Sequence, residues 1–214
     1  MASSAFNEFR YNVHDAKRLH QAHGVLSAAT PGKKGLGHIT RSGVVMLCAA
    51  WERYHEAILV EGVAYLSKEI LDPNNLPLSV RKHLSAIAKQ SLHELKPMEL
   101  AGNGWRTLYI ALATDETSSL NTPKSGKLKV IYERLAGVLD IATFWTIGAK
   151  PIDDFVSTRG DIAHNGRNSP YITAGTLKYY IEMIEAAVAE HDHKFCDYLK
   201  AASGSTYQPW RKTA

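Results

Sequence analysis

The segment from Arg159 to Asn165 combines side chains that can act on a phosphodiester: a guanidinium, the carboxylate of Asp161, the imidazole of His164 and a carboxamide. Cleavage of RNA through a ribose 2′-OH needs a group that accepts a proton, and histidine titrates close to neutral pH. It also needs a partner for the charge that builds on the phosphorane oxygens, which the planar arginine fork can bind. Such a pair needs no metal ion, and the sequence has no obvious carboxylate cluster for two divalent ions.

The spacing of Arg159 and His164 limits how they can act together. Five residues of an α-helix turn through about 500°, so the two side chains would lie roughly 140° apart. They can face one cleft only if the helix is distorted or if a second subunit supplies part of the site. The alternative without chemistry is a helix C-terminus, in which both side chains bond the last carbonyls and Gly166 is left-handed.

The elements that must position this segment are predicted to be helices. Residues 39–71 carry the strongest apolar stripe, with apolar residues at steps of three and four. The stripe consists of Val44, Leu47, Cys48, Trp51, Tyr54 and Ile58. Further helices are predicted over residues 5–28, 78–92, 128–138 and 173–202. Without sustained period-two alternation, the fold class is an all-α bundle with an N-terminal helix and a long mid-chain loop.

The helix that carries the segment is predicted to open at Pro151. Asp153 and Asp154 then suit the positive end of its dipole. Residues 102–114 fit either a short helix or a strand, and the polar residues 113–127 indicate the mobile loop.

The chain is predicted to form one domain over residues 1–214. In this domain, residues 1–38 form the N-terminal helix and a basic, glycine-rich loop, and residues 203–214 form a flexible tail.

Composition sets broad limits on function. The formal net charge is +4 and the pI is about 9.0, which permits binding to nucleic acid without requiring it. Cys48 and Cys196 lie in helical apolar patterns, which indicates buried, reduced thiols. The first residues lack a secretory leader, and the longest apolar run is too short to cross a bilayer. A cytoplasmic location without a membrane partner is therefore expected.

Histidine pairs and lysines outside this segment are candidates for metal ligands and for RNA contacts, respectively. The pairs His20/His23 and His191/His193 lack a third ligand nearby, so they are predicted to be solvated and not to hold metal. The lysines in or beside loops are candidates for contact with an RNA backbone. They are Lys33, Lys34, Lys124 and Lys127.

Two motifs in the expected order carry a resemblance to a known family. The sequence R-G-D-I-A-H-N-G, from Arg159 to Gly166, resembles the R-x4–6-H signature of HEPN domains. The W-E-x-Y sequence from Trp51 to Tyr54 resembles the first core helix of the RiboL-PSP-HEPN subgroup. About a hundred residues separate the motifs, and the resemblance covers roughly residues 40–202.

The resemblance implies a bundle of four or more helices, a homodimer, and an endoribonuclease that needs no metal or other cofactor. Two R-x4-H motifs would meet across the twofold axis in a composite site. Arg159 would bind the scissile phosphate of the RNA, His164 would be the acid–base residue, and Glu52 would orient Arg159. Such proteins are common in toxin–antitoxin and anti-phage defence systems, so an antitoxin or defence-system partner is expected.

This chain departs from the family pattern at two positions. Many members have Asn, Asp or His directly after the arginine, where this chain has Gly160, so Asp161 or Asn165 is a candidate for the polar helper. Members that pair with nucleotidyltransferases have a tyrosine where this chain has Gly166, which argues against that pairing. Besides an endoribonuclease, the sequence is compatible with a non-catalytic RNA-binding module and with a dimerisation or adaptor bundle.

Overall fold

The computed structural model describes residues 2–29 and 35–212 and contains eight α-helices and no strand in these ranges. The helices are α1 (Ser4–Ala29), α2 (Gly37–Glu69), α3 (Leu78–Gln90), α4 (Lys96–Glu99), α5 (Gly104–Ser118), α6 (Ser125–Ala136), α7 (Ala149–Asn165) and α8 (Ala174–Ser203). Short 3-10 helices follow α2, α6 and α7 at Pro73–Asn75, Ile141–Phe144 and Gly166–Asn168. The predicted all-α fold class is confirmed.

Helix α2 lies at the centre of the bundle. Its 33 residues span about 50 Å, and α1, α5, α6, α7 and α8 all pack against it. The apolar stripe predicted on this helix is at most 1% exposed along its whole length. Apolar periodicity therefore identified both the central helix and its inward face.

Two glycines let α8 approach α2 closely. A Cβ built on Gly43 would lie 2.6 Å from Leu177 Cδ2, and a Cβ built on Gly62 would lie 2.7 Å from Phe195 Cε1. Both distances are far shorter than the 3.5–4.0 Å at which carbon atoms make favourable contact. The side chains of α8 therefore occupy space that α2 leaves free only because these residues are glycine.

A histidine–tyrosine cluster (Tyr54, His55, Tyr132 and His191) is buried where α2, α6 and α8 meet. His191 Nδ1 lies 2.8 Å from the Tyr54 hydroxyl, and His55 Nδ1 lies 2.8 Å from the Tyr132 hydroxyl. Burial disfavours the charged imidazole, so it lowers the pKa of His191 to about 3 and the pKa of His55 well below its usual value. The prediction that His191 is solvated is wrong, because α8 turns this residue toward α2.

The polar residues 113–127 are mostly helical and do not form the long loop predicted. Helix α5 continues to Ser118 and α6 begins at Ser125, which leaves residues 119–124 between them. The hydroxyl groups of Thr114 and Thr117 donate to the carbonyls four residues earlier in α5. The hydrogen-bonding needs of these polar side chains are therefore met within α5, although the polar composition of the segment had indicated a loop.

Residues 204–212, which follow α8, are held against the bundle, whereas a frayed tail was predicted from Ser203 onward. Trp210 is only 6% exposed, and its Nε1 donates to the Asp192 carbonyl at 3.3 Å. The Cys196 thiol donates to the Trp210 carbonyl at 3.3 Å. The Asp192 carboxylate also accepts a hydrogen bond from the hydroxyl of Ser3, next to α1. One aromatic anchor thus fixes a segment that has no periodic pattern of its own.

Candidate active site

Helix α7 carries the segment from Arg159 to Asn165. The helix begins at Ala149, two residues before Pro151, and it ends at Asn165. Gly166 follows with φ of +52°, and its N–H donates to the Ile162 carbonyl. The backbone of Gly166 therefore closes the helix where the sequence indicated that it would end.

Arg159 lies at the contact between α7 and α2. It stands at helical spacing from the buried residues Phe155 and Ile162 and is itself half-buried. Burial raises the pKa of the Cys48 thiol on α2 to about 12, and the nearby Arg159 guanidinium acts to lower it. The Glu52 carboxylate acts on the same thiol in the opposite direction. Arg159 and Glu52 thus both lie close enough to Cys48 to influence its charge.

His164 lies in the last turn of α7, on a different face from Arg159. His164, Asp161 and Asn165 are all exposed. Within the described ranges, neither these three side chains nor that of Arg159 forms a hydrogen bond or an ion pair. The C-terminal capping alternative required bonds from Arg159 and His164 to the last carbonyls, and the described chain contains none. Within residues 2–29 and 35–212, a substrate would therefore not have to displace a hydrogen bond or an ion pair from any of these four groups.

The first half of α7 positions a neighbouring helix. Asp153 accepts hydrogen bonds from the backbone N of Ser125 at 2.6 Å and from its Oγ at 2.7 Å. Asp154 pairs with Lys150 at 2.6 Å. The prediction that both carboxylates serve the dipole of α7 is wrong, because α7 begins earlier than Pro151 and has no acidic residue in its first turn. Asp153 instead places its negative charge at the positive end of α6.

Glu52 holds the chain between α5 and α6. Its carboxylate accepts a hydrogen bond from the backbone N of Thr122 at 2.6 Å, and Trp51 Nε1 donates to the Pro123 carbonyl at 3.2 Å. Glu52 was expected to orient Arg159, but in the described part of the chain no ion pair joins them. Thr122 and Pro123 lie within residues 113–127, for which a mobile loop was predicted, and nothing in the sequence linked them to α2.

The candidate RNA-binding lysines differ in their surroundings. Lys124 is exposed next to the Ser125–Asp153 contact and has no partner among the described residues. The Lys127 ammonium donates to the carbonyls of Ser119 and Asn121, at 3.4 and 3.1 Å, so it braces its own loop. Lys33 and Lys34 lie outside the described residues.

Two further properties of the described chain concern metal binding and membrane-spanning helices. No group of three or more His, Cys, Asp or Glu side chains within residues 2–29 and 35–212 is arranged to hold a metal ion. Over the same ranges, every helix is too short or too polar to cross a membrane.

Comparison with known proteins identifies the family. No curated protein and no solved structure matches this chain. The family model described as RiboL-PSP-HEPN matches residues 11–197, which is well over half of the sequence. The matched range contains both the Trp51–Tyr54 motif of α2 and the Arg159–His164 motif of α7. The chain therefore belongs to the RiboL-PSP-HEPN family.

Proposed function

We propose that the protein is a metal-independent endoribonuclease in which Arg159 and His164 carry the reaction. HEPN proteins are generally related to ribonucleases, and they often bind RNA and dimerise. The observation that carries the proposal is that the arginine and histidine of the family motif share α7 and have no partner among the described residues. Such groups can engage a phosphodiester without first breaking a hydrogen bond or an ion pair to another described residue.

The proposed reaction begins when His164 removes the proton of a ribose 2′-OH. The 2′-oxygen then attacks the adjacent phosphorus while the bond from phosphorus to the 5′-oxygen breaks. The imidazolium formed at His164 then gives this proton to the leaving 5′-oxygen, so the products are a 2′,3′-cyclic phosphate and a 5′-OH. Arg159 binds the non-bridging oxygens as their charge increases, with Asp161 or Asn165 as the polar helper.

The proposed site is composite and belongs to a homodimer. Arg159 and His164 lie about 140° apart around α7, so one helix does not direct both at the same phosphate. A twofold axis beside α7 would bring Arg159 of one copy to His164 of the other. This arrangement also accounts for an arginine that is half-buried and yet lacks an acceptor in its own described chain.

The proposed biological setting is a toxin–antitoxin or anti-phage defence system in the cytoplasm. This part of the proposal rests on the family alone. An endoribonuclease without a restraint would damage the RNA of its own cell, so an antitoxin or another defence-system partner would hold it inactive.

A second candidate function is a non-catalytic RNA-binding module. Gly160 favours it, because many members carry a polar residue at this position. A Cβ built on Gly160 would meet no atom within 4 Å, so packing within the described chain does not require glycine here.

Incubation of purified protein with total cellular RNA in excess EDTA tests the proposal. Wild type should cleave the RNA and leave cyclic phosphate termini, and His164→Ala should not. Equal cleavage by the variant would refute the role of His164. Binding of RNA without any product would favour the binding module, and absence of both would favour an adaptor bundle.

A further inference from the structure

Helix α7 runs antiparallel to α2, and the chain that follows α7 returns to the start of α2. Arg159 acts on Cys48, which lies eleven residues after the first residue of α2. Further along the chain, the ring of Tyr171 lies against Gly37, the first residue of α2. His164 follows Arg159 and precedes Tyr171 in the chain, so the C-terminal end of α7 lies on the side of the α2 N-terminus.

Two side chains converge at that end of α2. A Cβ built on Gly37 would lie 3.1 Å from Arg41 Nη1 and 3.4 Å from Tyr171 Cε2. The guanidinium of Arg41 and the ring of Tyr171 therefore lie against the same point of the backbone.

Arg41 belongs to the face of α2 that carries the contact with Arg159. Seven residues separate it from Cys48, which is two helical turns, or about 10.5 Å along the axis. Arg41 is half-buried and has no hydrogen bond or ion pair in the described chain. Arg41 is thus a second guanidinium without an acceptor among the described residues. It lies on the same face of α2 as Cys48, but two turns closer to the N-terminus of the helix.

Tyr171 is exposed, but its backbone is fixed. The side chain is 69% exposed, whereas the next residue, Ile172, is only 4% exposed. The Ile172 carbonyl accepts a hydrogen bond from Thr40 Oγ1 at 2.7 Å, which ties this segment to α2. The backbone next to the ring is therefore fixed while most of the ring stays open, as required of a platform on which a base stacks.

We propose that Arg41 and Tyr171 form a nucleotide-binding subsite for single-stranded RNA, beside the His164 end of the active site. Arg41 binds a backbone phosphate, and Tyr171 stacks on the base of the same or the adjacent nucleotide. The subsite lies within a few nucleotides of the scissile phosphate and fixes the register of the RNA strand. This inference rests on the proposed function, because it assigns part of the same substrate.

Binding of a fluorescein-labelled, single-stranded RNA of mixed sequence tests the subsite, with fluorescence anisotropy as the readout. The His164→Ala protein is the parent, so that the probe stays intact. Tyr171→Ala should weaken binding about fivefold or more, and Tyr171→Phe should retain affinity because it keeps the ring. Arg41→Ala should weaken binding and lower the slope of log affinity against log salt by about 0.7, as expected for one lost phosphate contact.

Tyr207→Ala and Arg211→Ala are matched controls. Tyr207 is 75% exposed, and its carbonyl accepts a hydrogen bond from Tyr65 near the other end of α2. Both control variants should bind like the parent, and circular dichroism should show that all variants are folded. Parent-like binding by Arg41→Ala and Tyr171→Ala overturns the subsite alone. Failure of the parent to bind any RNA overturns the subsite together with the proposed function.

Discussion

Asp153 of α7 accepts two hydrogen bonds from Ser125, the first residue of α6. Two residues earlier, the carbonyl of Pro123 accepts a hydrogen bond from Trp51 of α2. Three helices and the chain between α5 and α6 are thus joined at one point. Arg159 follows six residues later on α7, so this junction fixes the helix that carries the candidate catalytic residues.

Replacing Asp153 with alanine should destabilise the protein by about 1–2 kcal/mol, because the start of α6 loses its cap. Urea unfolding measures the free energy of unfolding. Asp154→Ala is the matched control, since it removes a neighbouring carboxylate that pairs only with exposed Lys150. The control should cost much less, because its ion pair with Lys150 is exposed to solvent, and equal losses in the two variants would contradict the capping role.

Gly62→Ala should destabilise the protein by about 1–3 kcal/mol, because the new methyl group meets the ring of Phe195. Gly24→Ala, also within a helix, should stabilise it by about 0.5–1 kcal/mol, because nothing lies within 4 Å of the added Cβ. Thermal and urea unfolding of both variants decides the matter. A neutral Gly62→Ala would mean that α8 can move away from α2 at little cost.

Stability should fall as the pH decreases from 7.5 to 5. Each imidazole of the buried pair, His55 and His191, binds a proton in the unfolded chain below its ordinary pKa of 6.5. The folded chain keeps the His191 imidazole neutral over this range, since its pKa is about 3, and the pKa of His55 is lowered in the same direction. The unfolded state therefore gains protons, so the loss should reach about 2 kcal/mol at pH 5 from His191 alone, and His55 adds to it.

Urea unfolding at several pH values measures this dependence. Burial raises the pKa of Asp192, so its carboxyl takes up a proton at a higher pH in the folded chain than in the unfolded chain and opposes this trend. His55→Gln should make the slope between pH 6 and 5 shallower, because one of the two buried imidazoles is removed. His14→Gln, at an exposed position of α1, is the control and should leave the slope unchanged. A wild-type protein with flat stability over this range would show that the cluster takes up protons while folded.

Mixing two inactive variants tests whether the active site is composite. Arg159→Ala and His164→Ala should each lack cleavage activity as homodimers. If Arg159 of one copy works with His164 of the other, each mixed dimer regains one intact site. An equimolar mixture exchanged through mild denaturant should then recover about a quarter of wild-type activity. A mixture as inactive as its components would place both residues of each site on one chain.

The central helix followed from the sequence because its signal is local. Val44, Trp51 and Ile58 recur at helical spacing. A helix with such an apolar stripe packs that face against the core, where the stripe is shielded from water. The end of α7 was equally local, since Gly166 takes the positive φ that ends a helix at low cost. The positions of the chemical groups along α7 followed directly from these two features.

Other features depended on contacts between distant residues. Neither the bond between Asp153 and Ser125 nor the anchoring of Trp210 on Asp192 has a signature in its own segment. The surroundings of Arg159 were equally hidden, because Cys48 is 111 positions away in the sequence. For Thr117, the polar composition of the surrounding residues led to the wrong prediction of a loop. Its hydroxyl instead donates to a backbone carbonyl inside α5.

The attachment of Ser3 and Trp210 to the same residue, Asp192, has a mechanical consequence. The two ends of the described chain meet one turn of α8, so a force applied between them would load that turn first. Fraying from either end must break a contact at Asp192 before it can spread into α1 or α8. Asp192 therefore joins both end segments of the described chain, near Ser3 and near Trp210, to the bundle.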